Sequence, residues 1–195
     1  PEVMSILVDR CDEVGATLQA EGLAFGVLER VVGVGGQQVS LRGLAGDYPE
    51  MFLPLFGEHQ AHNAALAVAA VEAFVGGGEQ PLVDEVLRAG LAGVTSPGRL
   101  EIVRRSPTVL VDAAHNPAGV QALVEAIEES FTFTRLVGVL AVLQDKEVEP
   151  MVRALEGVLD HVVVTRTTSP RAIRPERLGE IVAGYFGEGR VTVVA

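Results

Sequence analysis

Residues 108–120 read TVLVDAAHNPAGV and set a carboxylate, an imidazole and a carboxamide close together, at Asp112, His115 and Asn116. A carboxylate accepts hydrogen bonds, an imidazole donates or accepts near neutral pH, and a carboxamide does both. Such a set can hold a small polar ligand. The elements that must position it are legible on both sides. Thr108 to Val111 is a short apolar, β-branched run expected to form a buried strand, with Asp112 at its end. Asn116 suits a helix N-cap and Pro117 the first helical position. Val120, Leu123, Val124 and Ile127 then recur at helical spacing. In open α/β sheets ligands bind outside the carboxyl ends of the strands, which is where this turn is expected to lie.

Further polar residues fall at places where they could join such a site. Arg99 follows Pro97-Gly98, and at a domain seam its guanidinium could meet phosphate in bidentate fashion. Ser169, Pro170 and Arg171 end one expected parallel strand, and Asp145 and Lys146 follow another, so both groups are expected at the carboxyl edge of the sheet. His59 and Asn63 lie in the first turns of an alanine-rich helix, and an Asn buried there would need a partner. Each residue also has a structural use: Asp112 as a turn former, Asn116 as a cap, Arg99 and Lys146 as solvated charges. The chain has no Cys/His metal spacing, no G-x-S-x-G nucleophile elbow and no G-x-x-x-x-G-K-[ST] phosphate loop. No metal ligand is expected within it. The residues alone thus indicate a small-ligand site on a parallel α/β domain, joined to part of another domain.

Around these candidates the chain changes pattern once. Pro1 to Cys11 reads as a helix without a start signal, and Val14 to Gln19 as a strand. Leu23–Val32 and Gln38–Leu41, broken by Gly33, Gly35 and Gly36, read as a hairpin. Asp47, Tyr48 and Pro49 read as a turn before a strand at Met51–Leu55. Gly57 to Phe74 is an alanine-rich helix stopped by Gly76, Gly77 and Gly78, with His59, Asn63, Leu66 and Ala70 along one stripe. Pro81 is expected to start a second helix over 82–92. Thr95, Ser96, Pro97 and Gly98 then read as a linker. Beyond it, strands near 108–111, 136–142, 161–165 and 191–194 alternate with helices near 117–131, 147–159 and 175–186. That alternation implies a parallel sheet with right-handed crossovers. Both ends read as cut.

Composition narrows the partners. The 195-residue chain is 48% hydrophobic, enough for a real core, and carries a formal charge of −11. So acidic a chain is ill suited to nucleic acid, which requires clustered Lys and Arg to neutralise phosphate. A small anionic ligand needs only a few local cations. Tryptophan is absent, which weakens any base-stacking platform. One cysteine, Cys11, rules out an internal disulfide and fits a reducing cytoplasm. No signal peptide and no apolar run of the roughly 18 residues needed to span a membrane is seen. The expectation is a cytoplasmic protein with neither nucleic-acid nor membrane partner.

Four segments together go further: LPLFGEHQAHNAALAVAA (53–70), TSPGRLE (95–101), VLVDAAHNPAGV (109–120) and TSPRA (168–172). In this order and spacing they resemble the folylpolyglutamate synthase family, many of whose bacterial members are also dihydrofolate synthases, within the Mur ligase superfamily. The resemblance spans essentially the whole chain. It implies an α/β fold, with residues 1–95 the C-terminal part of a P-loop-type central ATPase domain. Residues 96–195 would be a truncated, Rossmann-like parallel-sheet C-terminal domain. The reaction it implies is ATP-dependent: a carboxylate of folate or dihydropteroate becomes an acyl phosphate, and L-glutamate attacks it to form an amide. By motif, Asn63 would meet adenine, Arg99 the terminal phosphates, and Asp112 and His115 the ribose and neighbouring phosphate. Arg99 and His115 are the candidate catalytic groups, and Ser169 and Arg171 resemble a loop near the incoming amino acid. Mg²⁺ would be held by an N-terminal part lying outside this chain. The full-length enzyme is expected to be a monomer and this chain inactive alone. The alternatives are a nucleotide-binding module without chemistry and a Mur-type ligase acting on cell-wall precursors, since fold alone does not separate substrates.

Overall fold

The computed structural model describes residues 2–195. The chain divides into two compact units: the first runs to Pro54 and resumes over His59–Thr95, and the second comprises Leu55–Glu58 and Ser96–Ala195.

The first unit begins with helix α1 (Glu2–Val14); Pro1 lies outside the described residues. Strands β1 (Gly26–Gly33), β2 (Gly36–Arg42) and β3 (Asp47–Leu53) form an antiparallel sheet in that order. The β1–β2 turn is the glycine-broken hairpin expected from the sequence. Gly36 is obligatory there, because a Cβ on it would overlap the Leu53 carbonyl. Helices α2 (Glu58–Gly76) and α3 (Asp84–Ala92) follow, and α3 lies against β3. Arg88 of α3 secures that contact, donating from Nη1 to the Glu50 carbonyl at 2.7 Å. The buried apolar residues are Val39, Leu41, Met51 and Leu53 from the sheet and Ala61, Ala65, Val68 and Ala69 from α2.

Several expectations need correction in this unit. Val14 closes α1, and residues 16–20 form no strand. Asp47–Pro49 is not a turn but the start of β3. Because β3 is an edge strand, Pro49 is tolerated within it, and Tyr48 is buried at 3% exposure. α3 starts at Asp84, after Val83, rather than just after Pro81.

The second unit opens with an antiparallel hairpin of β4 (Glu101–Arg105) and β5 (Thr108–Val111). Then α4 (Pro117–Ser130), β6 (Val137–Leu140), α5 (Val148–Glu156), β7 (His161–Val164), α6 (Pro175–Phe186) and β8 (Val191–Val193) alternate. β6, β7 and β8 form a parallel sheet in that order, with Val137 opposite His161 and Val162 opposite Val191. The helices bury one stripe each in a common core, including Val120 and Ile127 of α4, Met151 and Val152 of α5, and Leu178 and Val182 of α6. Burial of a side chain such as Leu178, at 0% exposure, contributes about 1.5–3 kcal/mol. Phe56 joins this core, its ring 4.9 Å from that of Phe131. The correction here concerns β5, which was expected in the parallel sheet. Its hydrogen-bonded partner is β4, a strand the sequence pattern did not reveal.

Candidate functional site

The residues that could do chemistry in the second unit gather in two groups. The first forms where β5 ends. Asp112 is half-buried, and both its oxygens are engaged by backbone: Oδ2 accepts from Leu100 N at 2.7 Å and Oδ1 from Ala114 N at 2.6 Å. Ala113 N donates to the Gly98 carbonyl at 2.8 Å. The turn bearing Arg99 is thereby fastened to the end of β5, although 13 positions separate Arg99 from Asp112. Arg99 is exposed, and its guanidinium makes no hydrogen bond or ion pair among the described residues.

His115 is exposed, with Nδ1 3.1 Å from the Ala113 carbonyl oxygen. A carbonyl only accepts, so Nδ1 carries a proton. In the neutral ring Nε2 is then an acceptor, and in the charged ring a second donor. Asn116 is the N-cap of α4, its Oδ1 accepting from Gly119 N at 2.7 Å, with Pro117 in the first turn. Its carboxamide oxygen thus serves the helix, and the cap fixes where His115 leaves the turn.

The second group forms beyond β6 and β7. Gln144 N donates to the Arg171 carbonyl at 2.8 Å, and Leu143 and Ala172 make an isolated antiparallel bridge. Asp145 receives Lys146 Nζ at 2.9 Å and faces Arg171 Nη1 at 3.7 Å. The hydrogen bond from Lys146, with Arg171 nearby, holds the Asp145 carboxyl below the usual aspartate range. Ser169 Oγ accepts from Arg171 N at 3.2 Å, shaping the turn. Ser169, Arg171, Asp145 and Lys146 therefore meet in one loop junction. Among the described residues no hydrogen bond or ion pair joins it to the Asp112 group.

Asn63 belongs to the first unit. It was expected inside a buried helix, yet it is exposed, donating from Nδ2 to Gln60 Oε1 at 3.3 Å. The buried face of α2 is the stripe Gln60, Ala61, Ala64, Ala65, Val68, Ala69 and Glu72, so Asn63, Leu66 and Ala70 lie off it. His62, also exposed, pairs through Nδ1 with Glu21 Oε1 at 2.5 Å. Sequence reasoning also missed Leu100, whose backbone ties the Arg99 turn to Asp112. Gly98 signalled a special turn, but nothing marked a leucine in the left-handed region.

A parallel α/β unit with polar groups beyond its strand ends has the architecture of a ligand-binding domain, and the comparisons narrow the class. Residues 98–195 match the family model of the Mur ligase, glutamate ligase domain. The chain belongs to the Mur ligase family. It is 51% identical over 192 residues to the dihydrofolate synthase/folylpolyglutamate synthase of Mycobacterium tuberculosis, covering 98% of this chain and 39% of that protein. It is 31% identical over 172 residues to the enzyme of the same description from Bacillus subtilis, covering 88% of this chain and 40% of that protein. The M. tuberculosis folylpolyglutamate synthase complexed with ADP superposes with a TM-score of 0.95 at 50% identity, over 100% of this chain and 43% of that one. The resemblance to folylpolyglutamate synthases read from the sequence is therefore borne out. The chain spans about two fifths of the length of these curated relatives. No helix among the described residues is long and apolar enough to cross a membrane.

Proposed function

We propose that this chain is the C-terminal part of an ATP-dependent ligase that joins L-glutamate to folate, or to dihydropteroate, through an acyl phosphate. Residues 1–95 then form the end of its central ATP-binding domain and 96–195 its glutamate ligase domain. We read the whole enzyme as a cytoplasmic monomer.

The observation that carries the reading is Arg99: a guanidinium with no hydrogen bond or ion pair among the described residues, on a turn fixed by backbone hydrogen bonds beside Asp112 and His115. A fixed, uncompensated cation suits the terminal phosphates of a nucleotide, where charge grows in the transition state. Nε2 of His115 suits a ribose hydroxyl or the adjoining phosphate, and the carboxamide of Asn63, on the first unit, suits an adenine edge. Bound ATP supplies the phosphoryl group that turns a carboxylate into an electrophile. The loop junction of Ser169 and Arg171 offers a cation and a hydroxyl for the incoming glutamate. Mg²⁺ is read as a requirement of the reaction. The described residues hold no cluster of three or more His, Cys, Asp or Glu that could bind it, so no step is derived through the ion.

The test uses the complete enzyme. Arg99→Ala should slow ADP production stimulated by folate and glutamate by about 10²–10³-fold, the usual cost of one group that acts on transition-state charge. Unchanged turnover would remove Arg99 from the site. Parallel titration with dihydropteroate and with tetrahydrofolate decides which pterin is accepted.

A further inference from the structure

Glu101 lies two positions beyond Arg99, yet its carboxylate turns to backbone rather than to that guanidinium. Gly98 N donates to Glu101 Oε2 at 2.8 Å. The Arg99 guanidinium makes no hydrogen bond or ion pair among the described residues, although an exposed carboxylate stands so near it in sequence. The turn that Glu101 engages is well defined. Arg99 N donates to the Ser96 carbonyl at 3.1 Å, with Pro97 second and Gly98 third at φ 70°. That is the pattern of a type II turn. Type I and type II turns differ chiefly by a flip of the middle peptide, here Pro97–Gly98, so the direction of Gly98 N distinguishes them. On the far side of the turn the Gly98 carbonyl accepts from Ala113 N at 2.8 Å, and Leu100 N donates to Asp112 Oδ2 at 2.7 Å. The backbone on either side of Arg99 is thus pinned.

We propose that Glu101 is a positioning residue for Arg99. Its carboxylate holds the Pro97–Gly98 peptide in the type II orientation, and the turn then presents the guanidinium to a nucleotide's terminal phosphates. Glu101 acts on such a ligand in two opposed ways: its charge repels a polyphosphate, while its hydrogen bond keeps the cation in place. The hydrogen bond is a close contact of fixed geometry, whereas the field of an exposed charge is screened by water and salt. Positioning therefore outweighs repulsion, and the sign of the change on removing Glu101 tells the two apart. This role rests on the nucleotide reading above and leaves the contacts proposed for Asp112 and His115 as they stand.

The experiment measures AMP and ATP affinities by calorimetry on the complete enzyme, for wild type, Arg99→Ala, Glu101→Ala, Glu101→Gln and the double alanine variant. Loss of one charge-assisted contact to phosphate should weaken ATP about tenfold in Arg99→Ala, with AMP nearly unaffected. Without the Glu101 acceptor the presenting form of the turn is less populated, and apparent affinity falls with that fraction. One hydrogen bond shifts such an equilibrium about three- to tenfold, so Glu101→Ala should weaken ATP about threefold and spare AMP. Glu101→Gln keeps an acceptor oxygen for Gly98 N and loses the repelling charge, so it should bind ATP at least as tightly as wild type. With Arg99 already replaced, Glu101→Ala should cost nothing further. Unchanged or tighter ATP binding in Glu101→Ala, equal losses for AMP and ATP, a loss in Glu101→Gln as large as in Glu101→Ala, or losses that add to those of Arg99→Ala would each overturn the inference alone. An Arg99→Ala enzyme with unchanged affinities would overturn the nucleotide reading and this inference with it.

Discussion

Glu72 offers the sharpest quantitative test of how the first unit holds α2. Its side chain is 0% exposed. Oε2 accepts from Leu44 N and, at 3.3 Å, from Ala45 N, while Oε1 accepts from the Tyr48 hydroxyl at 2.5 Å. The same hydroxyl accepts from Leu82 N at 2.7 Å, so one carboxylate ties α2, the β2–β3 loop and the approach to α3. Gly43 is part of the design, since a Cβ there would overlap the carboxylate. Glu72→Ala strands two well-formed donors, Leu44 N and the Tyr48 hydroxyl, and one longer one. At about 1–3 kcal/mol for each buried donor left unpaired, with some recovery by water, the cost should be about 3–5 kcal/mol. Glu72→Gln keeps the shape and one acceptor oxygen for Leu44 N. It loses the acceptor for Tyr48, at a cost of about 1–2 kcal/mol. Urea unfolding followed by far-UV circular dichroism measures both, with the slope checked against wild type, because the chain has no tryptophan to report by fluorescence. Equal costs for the two substitutions, or less than about 1 kcal/mol for Glu72→Ala, would refute the argument that paired donors rather than shape carry the effect.

Two further outcomes follow from the same geometry. Burial, followed by the hydrogen bond to Glu72, pushes the Tyr48 hydroxyl from 10.0 up to about 12. Between those values the unfolded chain releases a proton that the folded one keeps, so stability is full below pH 10 and falls as pH rises toward 12. At about 1.4 kcal/mol per unit the loss approaches 3 kcal/mol, and Tyr48→Phe should abolish the slope in alkaline unfolding titrations. Asn116→Ala removes the acceptor for Gly119 N and should cost about 1 kcal/mol in the unfolding of the second unit, whereas Asn116→Ser should cost little.

What the sequence could and could not reveal divides along physical lines. Elements with their own local signals were legible: the Asn116-Pro117 start of α4, the glycine-broken hairpin, and the apolar stripes of α4, α5 and α6. Long-range pairing was not. The run 108–111 reads as a strand whichever neighbour it takes, and its partner β4 carries apolar residues only at Ile102 and Val103, too weak a pattern to announce a strand. Alanine is equally mute about direction. In α2 it occupies both flanks of the helix, so the side that buries Ala61, Ala65 and Ala69 could not be told from the side that exposes Asn63 and Ala70.

The candidate site shows the same division at finer scale. Side-chain chemistry was visible: Asp112, His115 and Arg99 stand out by type and place. Their hydrogen-bonding assignments were not visible, because these depend on backbone donors that every sequence carries alike. Asp112 stands out as a carboxylate able to bind a ligand, but only the fold reveals that Leu100 N and Ala114 N also donate to its two oxygens. Asn116 looks like a third binding group until its oxygen is found on Gly119 N. In both cases the backbone uses a polar side chain to hold a strained or terminal turn, and the residue freed by that support is the neighbour, Arg99 in one case and His115 in the other. Polar residues crowded at a strand end therefore divide the work: some satisfy the turn, and others stay exposed beside it. Which does which is decided by donors that only the fold brings within reach.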